Sequence, residues 1–349
     1  MRKWYEETAE NGDVVISSRV RLARNLRSYL FGSRLSDEDA VRLVNEVQAA
    51  APLVKEKDGK RYFLCNVNQL NEVNRQAMVE RYIVSPTLAA KKQETGLILS
   101  EDESVSVMIN EEDHIRIQSV TAGMDLEKVF AEANFIDDIL NEQLTFSFDD
   151  QFGYLTACPT NVGTGLRASY MLFLPALTMT GRVEKLSEEM GKYGVTIRGI
   201  YGEGTKSQGC MYQVSNQKTL GRTEKEIIAN LDCIVDQVIK QERRRREYML
   251  QAGYDEIEDK IFRSYGILKY ARQLGTEDAM TLLAQLKFGA DAGVIKLKGD
   301  VNLHILMMDI QPAGLQKLLG KNVGSSVRDR TRADYIRNKL PEIERGRSS

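Results

Sequence analysis

The chain has 349 residues, 42% of them hydrophobic, with 48 Lys and Arg against 50 Asp and Glu for a formal charge of −2. That length accommodates about two domains, and so even a balance excludes a general polyanion-binding surface, so no direct nucleic-acid partner is expected. No apolar run approaches the ~20 residues of a membrane helix and the amino terminus lacks a secretory stretch, so no membrane partner and a cytoplasmic location are expected.

In chain order, Ser36 before Asp37-Glu38-Asp39, followed by Val41, Val44 and Val47, predicts an amphipathic helix over 37–50. Strands are predicted at Arg61–Val67, at Gly96–Ser100 and Ser104–Ile109 as a hairpin, and at Ile115–Val120. Asp125–Leu140 reads as a helix, and Leu144–Phe148 with Tyr154–Cys158 as a second hairpin. A helix is predicted over Leu166–Thr180, then strands at Val195–Ile200 and Cys210–Val214. Thr223-Glu-Lys-Glu226 is a capping box opening a helix that runs towards residue 250. Hairpins outnumber strand–helix–strand units, so the class is α+β with a mostly antiparallel sheet flanked by helices. Beyond about residue 255 helical periodicity dominates (Ile261, Leu268, Leu274, then Leu282, Leu283 and Leu286), dividing the chain into 1–250 and a helical 251–349.

Four cysteines without a C-x-x-C pair, and only two histidines, weigh against a disulfide scaffold, a cysteine zinc site or a Ser-His-Asp triad; no protein-built metal site is expected. The strongest local signal is Cys158-Pro-Thr-Asn-Val-Gly163-Thr-Gly165-Leu-Arg167, read as a strand end, a glycine turn and an arginine at a helix start. Such a turn lets a backbone approach a ligand, while helix-start amides and a guanidinium fork favour phosphate. A tight connection with an inert buried thiol is the plain alternative. Ser17-Ser18-Arg19-Val20-Arg21 places Arg19 and Arg21 on one face if extended, and Asn110-Glu111-Glu112-Asp113-His114-Ile-Arg116 gathers acids, an imidazole and an arginine beside a strand. Gly199 to Ser207 imitates a phosphate loop but has Thr205 between its glycine and Lys206-Ser207, so a Walker-type site is not predicted.

These strings, with Arg198-Gly-Ile-Tyr-Gly-Glu203, resemble in order the catalytic-domain motifs of phosphagen (guanidino) kinases, over about residues 15–245. Four ordered motifs make the likeness specific where any one would be weak. Small-molecule members carry a helical domain before the first motif; here sixteen residues precede it, and a helical domain follows. That arrangement, with Arg328-Asp329-Arg-Thr-Arg332-Ala333, is similar to the bacterial protein-arginine kinases.

The resemblance implies a phosphagen-kinase catalytic domain, related to the glutamine-synthetase fold, that moves the γ-phosphoryl of ATP, with Mg²⁺ arriving on the nucleotide, to a protein arginine. By it, Glu112 and Glu203 hold and deprotonate the guanidinium, and Cys158 supports them. The nucleotide set is Ser17, Ser18, Arg19, Val20, Arg21, Arg116, Arg167, Ala168, Ser169, Tyr170, Met171, Arg198, Gly199, Ile200, Tyr201 and Gly202. Tyr82 stands where the family's nucleotide-site histidine is expected, and Arg328, Asp329, Arg332 and Ala333 match a phosphoarginine pocket. The likeness also implies a homodimer, a zinc-containing activator protein, a heat-shock repressor as substrate, and delivery to the Clp protease in stress responses. A small-molecule guanidino kinase and a non-catalytic phosphoarginine-binding adaptor are the competing readings.

Overall fold

The computed structural model describes residues 2–7, 9–200, 207–299 and 301–346, the side chain of Ser33 excepted. The strands of its first 216 residues are β1 (Val15–Arg24), β2 (Tyr62–Asn66), β3 (Gly96–Ser100), β4 (Val105–Ile109), β5 (Ile115–Ala122), the short pair β6 (Phe148–Asp149) and β7 (Gly153–Tyr154), β8 (Leu166–Phe173), β9 (Val195–Gly199) and β10 (Met211–Asn216). The helices between them are α1 (Asp37–Ala49), α2 (Ala51–Asp58), α3 (Glu72–Glu80), α4 (Pro86–Ala90), α5 (Leu126–Asn141), α6 (Pro175–Met179) and α7 (Val183–Gly191). Eight strands form one sheet in the order β2-β3-β4-β5-β1-β8-β10-β9, each neighbouring pair antiparallel. The expected α+β architecture is therefore present.

Side-chain alternation along the central strands gives the sheet two chemically different faces. Val20, Leu22, Ile117, Ala168 and Leu172 are at most 1% exposed and belong to a core shared with Val129 and Ile136 of α5 and Leu231 and Val235 further on. Arg24 closes that core at its edge. Its guanidinium lies 2.7 Å from Asp137 of α5, donates to the carbonyls of Ala23 and Thr164, and stacks 3.5 Å from the Tyr154 ring.

The predicted helix over Leu166–Thr180 is corrected: the segment is strand β8 followed by the short helix α6. β8 is central and buried on both faces, so it reads as a near-continuous apolar run whose period does not separate strand from helix. Pro175 starts α6 at its first turn. The predicted 144–158 hairpin shrinks to β6 and β7, because Phe146 bridges Leu26 and Ser147 donates to the Asn25 carbonyl.

The glycine turn packs tightly on β1 and also borders a cavity at Arg21 and Arg167. Gly165 has φ +65, and a methyl group there would lie 2.6 Å from the Ala23 carbonyl oxygen. Gly165→Ala is accordingly expected to lower stability by more than about 1 kcal/mol, read as a fall in the urea midpoint at unchanged m-value.

Thr223 caps α8 (Glu224–Tyr270) through the predicted capping box, and the helix passes residue 250 without a break until a kink at Gly253. Then come α9 (Thr276–Asp291), β11 (Ile295–Leu297), α10 (Leu303–Asp309), α11 (Pro312–Leu319), α12 (Ser325–Lys339) and β12 (Ile343–Arg345), the last paired with β11. Their core includes Leu283, Leu306 and Ile336 together with Met171, Phe173 and Met211 of the sheet. Glu80 of α3 adds a polar tie, its carboxylate accepting from the Ala313 and Gly314 amides at 2.8 Å each, at the free start of α11.

Candidate active site

The second face of the sheet collects the arginines. In the strand register Arg21 lies opposite Arg167 on one side and Gln118 on the other, Arg19 opposite Ser169 and Val120, and Ala23 opposite Arg116. Arg198 pairs with Gln213, which pairs with Met171, which pairs with Ser17. Directly opposed residues share a face, so five guanidinium-bearing residues point the same way from four strands.

Few partners neutralise them. Arg19 donates to Gln213 at 2.7 Å and to Ser169 at 3.4 Å, while the Nε atoms of Arg21 and Arg167 are buried with no hydrogen-bond partner among the described residues. Burial, with Arg116 and Arg167 adding repulsion and Tyr82 opposing, lowers the Arg19 pKa to about 10. Arg21 is pushed down by burial and then by Arg19, Arg116 and Arg167, and Arg167 by burial and then by Arg198 and Arg116. Buried donors without acceptors beside like charges make a site that an anion with several oxygens would satisfy.

Two cavities open on this face. One of about 200 Å³ is lined by Arg21, Arg116 and Arg167 with Glu112, Cys158 and Asn161. The other, about 230 Å³, has Arg19 and Arg198 on one side and Trp4, Tyr82, Met171 and Ile200 as apolar walls. Tyr82 is held with φ +60, and its carbonyl accepts from Gln118 at 2.8 Å.

Four of the expected nucleotide residues face the opposite way. Ser18 donates to the Gly123 carbonyl and accepts from the Asp125 amide, Tyr170 donates to Asp232, and Val20 and Ala168 lie in the core. Their side chains position the strands, while Ser17, Arg19, Arg21, Ser169 and Met171 turn to the cleft. Glu203, Tyr201 and Gly202 lie outside the described residues.

Glu112 and Arg116 flank a tight turn, with Asn110 at φ +59 and its amide bonded to the His114 carbonyl. The Glu112 side chain is 47% exposed and 3.3 Å from Arg116, so it remains open to a visiting cation. Its neighbour Glu111 is a residue the sequence reading missed. Glu111 is buried, lies 2.6 Å from Arg116 and aims that guanidinium; only the turn's conformation separates the roles of two adjacent glutamates. Cys158 Sγ is 3.1 Å from Thr160 Oγ1 on the cavity wall.

Beneath the turn, Asp113 accepts from Asn25 and the Ala157 amide, and His114 Nδ1 accepts from the Leu26 amide. Nε2 must therefore carry the proton that reaches the Leu30 carbonyl at 3.0 Å. Burial holds the His114 pKa below its ordinary value, against that hydrogen bond and the Asp113 charge, and burial with Lys287 lowers His304 to about 3. Both imidazoles are neutral when folded, whereas unfolded histidine protonates near ~6.5. Their contribution is complete above that pH and declines as pH falls. Between pH 7 and 5.5 stability is expected to fall by up to about 1.4 kcal/mol per unit through His304, with a loss of the same sign through His114, and less so in His304→Leu. A denaturation midpoint that stays flat across that window would contradict this.

In the carboxy-terminal part, Arg332 is 1% exposed, donating through Nε and Nη1 to the Ile310 and Leu274 carbonyls and to Asp329 at 2.6 Å. Ala333 is core, and Arg328 donates to the Val323 carbonyl. Of the four expected phosphoarginine residues, Arg328 and Asp329 are the more accessible.

Residues 42–245 match the family described as ATP:guanido phosphotransferase, C-terminal catalytic domain, and residues 254–349 match the protein-arginine kinase McsB C-terminal domain. A solved taurocyamine kinase from Schistosoma mansoni, duplicated and titled as holding transition state analog components, is 28% identical with a TM-score of 0.60, covering 70% of this chain and 35% of that one. Lombricine kinase, at 21% identity and a TM-score of 0.57 over 70% of this chain and 69% of its own, shares the fold. The chain thus carries the catalytic domain of the ATP:guanido phosphotransferase family.

Curated protein-arginine kinases from Moorella thermoacetica and Halothermothrix orenii are 44% and 43% identical, each over 97% of this chain and 97% and 96% of their own lengths. The chain belongs to the protein-arginine kinase family. No helix among the described residues is long and apolar enough to cross a membrane.

Proposed function

We propose that the chain transfers the γ-phosphoryl of ATP to a guanidinium nitrogen of arginine in proteins, forming an N–P bond with loss of a proton. One observation carries this reading: a row of arginines with unpartnered buried donors runs up to a carboxylate, Glu112, that is open to solvent. The two reactants require those opposite charges.

A guanidinium with a pKa of ~12.5 or above is a poor nucleophile at pH 7, and stripping its proton in water costs about 7 kcal/mol or more. A carboxylate can grip the planar fork, aim one nitrogen and accept the proton as the bond forms. We assign that role to Glu112, together with Glu203. Cys158 borders the same cavity as Glu112 and would contribute orientation and polarity there.

The transferring phosphoryl group spreads charge over its oxygens, so positioning and electrostatic stabilisation dominate. Arg21, Arg116 and Arg167 would hold the reacting phosphates, and Arg19 and Arg198 the phosphates nearer the nucleoside. The apolar walls at Tyr82, Met171 and Ile200 fit a flat base, with Tyr82 in place of the expected histidine. Mg²⁺, arriving on the nucleotide, would supply further neutralisation of the phosphate charge.

Residues 1–250 would act as the catalytic domain, and 251–349 as the domain for dimerisation and for phosphoarginine, with Arg328 and Asp329 as its reachable contacts. Activation by a zinc-containing partner, modification of a heat-shock repressor, hand-over to Clp in the cytoplasm and a part in stress responses complete the proposal.

Mass spectrometry of a generic protein incubated with Mg·ATP and this chain, kept from acid so that phosphoramidates survive, tests the reaction. Arginine should gain phosphate. Modification confined to hydroxyl side chains, or turnover with free arginine or creatine only, would overturn it.

A further inference from the structure

Glu112 lines two cavities. On the side away from the arginine row it also borders a wide groove of about 950 Å³, whose wall includes Tyr29, Leu30, Phe31, Arg34 and Lys91. The groove is over four times the volume of the 200 Å³ cavity beyond Glu112.

We infer that this groove seats the polypeptide on either side of the target arginine and favours acidic flanking residues through Arg34. The inference rests on the protein-arginine kinase reading and deepens it. A guanidinium gripped by Glu112 must have its own main chain on one side or the other. The phosphate side is small and ringed with arginines, so among the described residues the groove is the side with room for the main chain.

The groove is also built to hold a shape. His114 bonds to both ends of the 26–30 segment, and the rings of Tyr29 and Phe31 each meet the imidazole edge to face at 5.9 and 5.6 Å. Leu30, pinned by its carbonyl, is nevertheless 61% exposed. A rigid apolar side chain at the mouth of a cleft gives a peptide side chain contact area at little ordering cost.

Charge supplies the direction. Carboxylates line the groove beside Arg116, whereas Arg34 is exposed and its guanidinium makes no ion pair or hydrogen bond with the described residues. Lys91 adds positive charge, although its ammonium already donates to Asn110 and to the Glu111 carbonyl at 2.7 and 2.8 Å. An acidic side chain beside the target arginine would meet Arg34 and improve both encounter and register. Free arginine leaves the groove empty and gains none of this.

The test uses the full chain, Mg·ATP and a peptide series with one arginine, in which Asp, Ala or Lys is stepped through the flanking positions. Wild type should rank Asp above Ala above Lys in kcat/KM at one or more positions. Arg34→Glu should reverse that order, shifting the acidic peptides by about three- to tenfold, with the KM for ATP unchanged. Leu30→Asp should weaken every peptide through KM. Arg34 and Leu30 are both exposed, so neither change threatens folding. Peptide arginines that are phosphorylated at rates indifferent to flanking charge, in wild type and Arg34→Glu alike, would overturn the groove and leave the reaction standing. Absence of any arginine phosphorylation by wild type would remove the reaction and the groove together.

Discussion

Arg21→Met is expected to lower turnover by ~10³–10⁵-fold while making the nucleotide-free protein more stable. Arg21 sits on the middle strand with Arg19, Arg116 and Arg167 around it, and its buried Nε finds no acceptor among the described residues. Burial and then like-charge repulsion both disfavour its cation, and Glu111 opposes them. A methionine of similar length removes that burden and keeps the packing volume. The triphosphate would reverse the balance, its oxygens satisfying the orphaned donors and its charge cancelling the crowding. Unfolding midpoints with and without nucleotide, read beside kcat, separate the two effects: wild type should gain more from ATP than the variant. A variant that is less stable without nucleotide, or that keeps turnover within tenfold, would contradict this account.

Glu112→Gln is expected to cut kcat for protein arginine by ~10²–10⁴-fold and leave the KM for ATP nearly unchanged. The amide keeps the shape of the carboxylate but cannot accept the guanidinium proton. Its neighbour supplies the control. Glu111→Gln removes the same charge from a side chain only 2% exposed, stranding the Arg116 guanidinium that it holds. That change should appear as a loss of folding stability of about 3–5 kcal/mol. Glu112, at 47% exposure with a 3.3 Å contact, should show almost none. Calorimetry on both variants, paired with steady-state kinetics, reads the split. If Glu112→Gln destabilised the fold as much as Glu111→Gln, the assignment of Glu112 to substrate would fail.

Local chemistry was legible wherever a short segment carries its own periodicity. The alternation in Ser17 to Leu22 foretold that Arg19 and Arg21 share a face, since strand geometry alone dictates it. The capping box at Thr223 and the hairpin joining β3 and β4 were equally readable, because their hydrogen bonds close within a few residues. Leu166–Phe173 was not: a strand with neighbours on both edges and packing on both faces loses the alternation that would identify it. Placing Arg167 at a helix start followed from that error, and its place on the arginine face comes from lying opposite Arg21.

Residue types and motif order by themselves determined the class of chemistry, since a reaction between a cation and a polyphosphate demands carboxylates on one side and arginines on the other. Only the tertiary structure decided which members of each motif face the cleft: Ser18, Val20, Ala168 and Tyr170 turn to the core, Glu111 holds Arg116 while Glu112 stays open, and Arg332 is buried and bonded to the Ile310 and Leu274 carbonyls and to Asp329. The facing of the strand residues depends on pairings between positions more than a hundred apart, such as Arg19 with Ser169, while the glutamates depend on the turn before β5 and Arg332 on packing against Leu274 and Ile310, none of which a local pattern encodes.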